Sequence, residues 1–100
     1  MIAITYNESS VSIKGHAGYA PIGQDIVCAG ISTLVQTLIQ SIEDLCTDEI
    51  TYHLQPGSVE IKHGALSANA QLLMKSFFIG CYMIADRYPK HVQLTRRGSL

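Results

Sequence analysis

His16 and Cys28 are the residues whose types and setting point to covalent chemistry. A thiol that has lost its proton is a strong nucleophile at neutral pH, and an imidazole is suited to take that proton. The stretch GHAGYAPIGQDIVCAGIS, Gly15 to Ser32, puts the His just past a strand pattern and the Cys in the first turn of a helix pattern. Gly18, Pro21 and Gly23 punctuate the loop between them, so it can fold back and let the two side chains meet. Asp25 stands three residues before Cys28, the place of a helix N-cap. As a cap it accepts a hydrogen bond from a first-turn N–H and leaves Cys28 at the positive end of the helix dipole, which favours thiolate over thiol. A second role is open to Asp25, orienting His16 as the acid of a triad. The Cys28 N–H, with another from the Gly23 to Asp25 turn, is expected to form an oxyanion hole. Ser32 lies one turn beyond Cys28, where it either lines the site or bonds back to the helix carbonyl four residues earlier.

Gly15, His16 and Ala17, followed by Gly23, Asp25, Ile26, Val27, Cys28, Ala29 and Ser32, resemble the signature of the ribosomal-processing cysteine protease family, Prp. The order of elements is similar over the whole chain. This resemblance implies a cysteine endopeptidase with Cys28 as nucleophile and His16 as general base. It further implies a substrate, the precursor of a ribosomal large-subunit protein, whose N-terminal extension is removed at a peptide carrying aliphatic and aromatic residues. Gly18 and Gly23 would let the loop close over such a peptide, and with Ser32 they are the candidate substrate-binding residues. Two alternatives stand beside this reading: a phage-type relative that trims capsid or scaffold proteins, and a non-enzymatic module that binds a peptide or a ribosomal surface.

Composition sets independent limits. One hundred residues, 47% hydrophobic and 15% charged, suit a single domain over residues 1–100 with one core. Seven Lys and Arg against eight Asp and Glu leave a net charge of -1 and no basic footprint for nucleic acid. Lys90, Arg96 and Arg97 read as an exposed final strand and tail. Three cysteines without CxxC spacing suit a reducing cytoplasm, and no basic leader or bounded membrane span is apparent. Cys46 and Cys81 sit in apolar helical stripes and read as inert. His53, His63 and His91 fall in strand patterns and read as surface or edge residues. No HxxxH or CxxC pattern completes four ligands, so neither a metal nor another cofactor is expected.

The elements that must hold this pair follow from periodicity. Ile2, Ile4 and Tyr6, then Val11 and Ile13, alternate around turn chemistry at Asn7 to Ser10 and predict a hairpin. From Asp25 to about Cys46, Val27, Ile31, Leu34, Val35, Leu38, Ile42 and Leu45 share one helical face, while the opposite face carries almost no charge over its first four turns. Ile50, Tyr52 and Leu54, then Val59 and Ile61, predict a second hairpin about Pro56 and Gly57. A second helix is predicted from about Ser67 to Tyr88, with Ala70, Leu73, Phe77, Cys81 and Ile84 inward, and Val92 and Leu94 suggest a last strand. The order ββαββαβ predicts an α+β domain: a mostly antiparallel sheet with two helices packed on one face. Phe77 to Ala85 is apolar nearly all round, more than two helices on a sheet can hide, which predicts a homodimer.

Overall fold

The computed structural model describes residues 1–97, so residues 98–100 of the predicted single domain lie outside the described residues. The seven elements come in the predicted order: β1 (Ile2–Tyr6), β2 (Ser10–Lys14), α1 (Ile26–Leu45), β3 (Ile50–Gln55), β4 (Ser58–His63), α2 (Ala68–Arg87) and β5 (Val92–Arg96). They form an α+β fold whose five strands run in the order β3-β4-β2-β1-β5. Among the described residues only the β1–β5 pair is parallel.

Local chemistry closes each turn. Between β1 and β2 the Asn7 Oδ1 accepts from the Ser9 N–H at 2.9 Å and the Ser10 hydroxyl at 3.0 Å, an Asx turn. Between β3 and β4 the pair Pro56-Gly57 makes the bend, Gly57 taking a φ of +71° that L side chains rarely adopt. Ser67 caps α2, its Oγ accepting from the Ala70 N–H at 3.2 Å.

Alternation then sorts the sheet into two faces. Ile4 lies opposite Ile13 on one side and Leu94 on the other, and Ile13 opposite Val59, which lies opposite Leu54. Apart from Leu54, these apolar rows meet Val27, Ile31, Val35, Leu38, Ile39 and Ile42 of α1 and Met74, Phe77 and Cys81 of α2 in one core. The other sheet face carries Ser12, Lys14, Glu60 and Lys62, with Lys14 and Glu60 paired at 3.0 Å. Both helices therefore pack on one face, and that face holds the apolar content. Although α1 is long and apolar enough by length and composition to cross a bilayer, its apolar stripe is used here against the sheet.

One side chain departs from the predicted stripes. Leu45 is 69% exposed. Four residues, not three, separate the last inward position, Ile42, from the next, so Cys46 continues the stripe and packs against the core as the C-cap of α1. On α2 the buried positions are Ala70, Met74, Phe77 and Cys81, with the predicted Leu73 and Ile84 half-buried against the core. Ile79, Tyr82 and Met83 face outward, as the apolar run from Phe77 to Ala85 requires.

The N-terminus of β1 and the end of β2 meet at Gly15, whose φ is +97° and whose N–H donates to the Gly57 carbonyl at 2.9 Å. A Cβ on Gly15 would collide with the Met1 carbonyl oxygen, a backbone atom that cannot rotate away. Gly15→Ala is therefore expected to cost about 2–4 kcal/mol in urea unfolding, combining backbone strain with a clash. Gly64→Ala, at a position with open space and no positive φ, is expected to stay within about 0.5 kcal/mol.

Candidate active site

Cys28 is the third residue of α1, half-buried, where first-turn amides have no partner within the helix. Asp25 supplies one. Its Oδ1 accepts from the N–H groups of Val27 and Cys28, both at 3.0 Å, and its Oδ2 accepts from those of Tyr19 at 3.0 Å and Ala20 at 3.3 Å. The Cys28 amide foremost, joined by those of Ala20, Tyr19 and Val27, outweighs desolvation and holds this carboxyl below its usual 3.8. Of the two roles open to Asp25, capping is the one its hydrogen bonds perform, and it extends to the loop as well as the helix.

The same bonds alter the expected oxyanion hole. The Cys28 N–H donates to Asp25 and is not free to face a substrate. The amide aimed at the sulfur is that of Ala17, which donates to Cys28 Sγ at 3.3 Å. Local helix rules could not point to it, because the contact depends on where the loop folds.

His16 follows the Gly15 junction and is exposed. Its ring lies over Gly57 so closely that a Cβ there would stand 2.7 Å from Nε2 and 3.1 Å from Cε1. The turn between β3 and β4 thus needs glycine twice, for its backbone and for the room it leaves the imidazole. His16 and Cys28 line one cleft of about 390 Å³. Ile13, Val59 and Leu54 form its sheet wall, and Ile31 and Val35 its helix wall. The cleft exists because the edge strand β3 reaches beyond the helical cover, leaving Leu54 47% exposed on the helix-bearing face.

Ser32 lines the cleft, and the bond back to a carbonyl four residues earlier is made by its neighbour Thr33, to Ala29 at 2.8 Å. Gly18 and Gly23, with φ of +67° and +88°, stand in the exposed loop and do not line the cleft. His91 is not the simple edge residue predicted. It is half-buried, with Nδ1 2.9 Å from the Ala17 carbonyl oxygen, and the Tyr19 ring stands edge-on to both His91 and Tyr88 at 5.4 and 5.3 Å. Its strand-like neighbours gave no sign of this, since the partner lies 74 positions away. Cys81 is buried, its thiol pushed up to about 12 by desolvation, which keeps it protonated and unreactive. Among the described residues no three His, Cys, Asp or Glu side chains gather as a metal site.

The family model described as cysteine protease Prp matches residues 1–93. This chain belongs to the Prp family. It is a cysteine protease. The ribosomal processing cysteine protease Prp of Staphylococcus aureus is 27% identical over 100 residues, spanning 93% of this chain and 94% of its own length. That of Mycoplasma genitalium is 28% identical over 98% of each chain. The crystal structure of S. aureus Prp with a covalently linked product peptide shares the fold at a TM-score of 0.93, with 23% identity, covering 97% of this chain and all of that one.

The Asp25 carboxyl gives the Prp fold here a pH dependence of known sign. A group whose pKa is depressed by folding stabilises above its unfolded value, and that contribution is lost as pH falls through the folded value. Asp25→Asn keeps one acceptor oxygen but cannot serve Tyr19, Ala20, Val27 and Cys28 together. It is expected to melt below the unmodified protein at pH 6, with the gap closing as pH falls below about 4, as read by thermal unfolding across a pH series.

Proposed function

We propose that this chain is an endopeptidase that removes the N-terminal extension from the precursor of a ribosomal large-subunit protein, with Cys28 as nucleophile and His16 as general base. The observation that carries the reading is the shared cleft, into which the thiol and the imidazole both open while Ala17 N–H holds the sulfur. The names of the S. aureus and M. genitalium relatives support ribosomal processing as the setting.

In this mechanism His16 takes the Cys28 proton and the thiolate attacks the scissile carbonyl, forming a C–S bond. Negative charge develops on the carbonyl oxygen. The Ala17 N–H, already directed at the sulfur, lies within reach of an oxygen on the carbon bonded to it and shifts to that oxygen. Collapse breaks the C–N bond, and the imidazolium gives its proton to the departing amine. Water, deprotonated by His16, then cleaves the thioester and regenerates the thiol. The Ile13, Ile31, Val35, Leu54 and Val59 walls suit the aliphatic and aromatic side chains of an extended peptide.

The proposal includes a homodimer working in the cytoplasm, where the free Cys28, Cys46 and Cys81 stay reduced. Leu72, Ile79 and Met83 on α2 are each about two-thirds exposed, an apolar stripe that a second copy would cover. Ile79→Glu would place an unpaired charge in that contact and is expected to shift the protein from dimer to monomer in light scattering. A monomer for the unmodified chain at micromolar concentration would remove the dimer.

Incubation with the host's ribosomal-protein precursor, read by mass spectrometry, tests the activity. Cys28→Ala and His16→Ala are each expected to lower turnover by roughly a thousandfold or more with the fold intact by circular dichroism. Substantial turnover by Cys28→Ala would overturn the assignment of the nucleophile.

A further inference from the structure

His91 sits where three elements meet. Its backbone N–H donates to the Tyr88 carbonyl at 2.9 Å and its carbonyl accepts from the Ile2 N–H at 2.8 Å, which ties the end of α2 to the start of β1. The main chain alone makes that junction. The imidazole is left for another task, and its Nδ1 lies 2.9 Å from the Ala17 carbonyl oxygen. A carbonyl has no proton to give, so Nδ1 carries it and donates.

Ala17 is the residue between the base and the loop, and it is held from both sides. Its N–H donates to Cys28 Sγ and its carbonyl accepts from His91. The Ala17 methyl is buried in the core, so the residue has little freedom except rotation of its flanking peptide groups. Such rotation would swing the N–H off the sulfur. A donor on the carbonyl side opposes it.

We infer that His91 is a positioning residue for the thiol: through Ala17 it keeps a backbone N–H on Cys28 Sγ. Tyr19 supports the arrangement by packing edge-on against the His91 ring while its own N–H bonds Asp25. The sulfur is thereby linked to β5 and α2, elements that carry no residue of the cleft. This inference rests on Cys28 as the nucleophile.

The test uses the rate at which iodoacetamide alkylates Cys28 at pH 7, followed by mass spectrometry. His91→Phe keeps a flat ring against Tyr19 but removes the donor, and is expected to slow alkylation about five- to tenfold, the size of one lost hydrogen bond. His91→Asn, whose side-chain amide N–H stands where Nδ1–H stood, is expected to restore the rate to within about twofold. On precursor peptide the His91→Phe loss is expected in kcat with KM little changed. Rescue by Asn separates positioning from simple packing, because Asn fills the space less well than Phe does. Nitrogen-15 NMR of the unmodified protein provides a reading that needs no variant: His91 is expected to carry its proton on Nδ1. Equal alkylation rates for His91→Phe and the unmodified chain, no rescue by Asn, or an unprotonated Nδ1 would each overturn the inference. Turnover by Cys28→Ala would instead overturn the nucleophile assignment, so the two failures are distinguishable.

Discussion

The Asp25 carboxylate gathers amides that would otherwise point in unrelated directions. Two belong to the first turn of α1 and two to the loop that returns from β2, and all four converge on its two oxygens. A helix start without such a partner frays, and a glycine-rich loop without one wanders. Joined through a single side chain, each limits the motion of the other. Cys28 gains a fixed height on the helix, and Ala17 gains a fixed approach to the sulfur. The helix itself is held by its buried stripe on the sheet, so the cap has a rigid body to act upon.

The imidazole is placed by a different junction. Where β2 ends, the Gly15 N–H reaches across to the Gly57 carbonyl, binding the strand end to the neighbouring turn. His16 comes next in the chain and its ring lies on the glycine of that turn. The thiol is thus located by the helix start and the imidazole by the end of β2 and the turn between β3 and β4. Their meeting in one cleft depends on α1 leaving the end of β3 uncovered. Both junctions use backbone groups that water would otherwise solvate, which suits a site that must hold its geometry while open to a peptide.

What the sequence makes legible is what depends on neighbours along the chain. The Asp25 cap, the Asn7 turn, the Pro56-Gly57 bend and the ends of both helices rest on contacts within a few residues, and all are found where spacing places them. The inward stripes are legible in their middle, where 3.6-residue periodicity is strongest. They blur at the last turn, where Leu45 and Cys46 are both apolar and only the packing chooses between them. Contacts that close over long separations leave no trace in spacing. Gly57 beneath His16, the Ala17 N–H on the sulfur and the His91 ring beneath the loop exist only once the sheet has assembled. For His91, just before β5, the alternation that follows says which face a strand side chain takes and nothing about which loop crosses the strand's start.

The parallel pairing of β1 with β5 joins Ile2 to Val92 and Tyr6 to Arg96, the widest span of chain that any strand pair here encloses. Closing so long a loop is slow, and it must wait for everything between. A chain grown only as far as α2 already contains His16, Cys28 and Asp25, yet its first strand has one edge unpaired and the ring under Ala17 has not been made. These three residues come early in the chain, while β5, the strand that completes the sheet beside them, follows both helices. The arrangement beside the cleft is thereby tied to the last strand: a copy that stops before it holds His16, Cys28 and Asp25 without the contact between His91 and the Ala17 carbonyl.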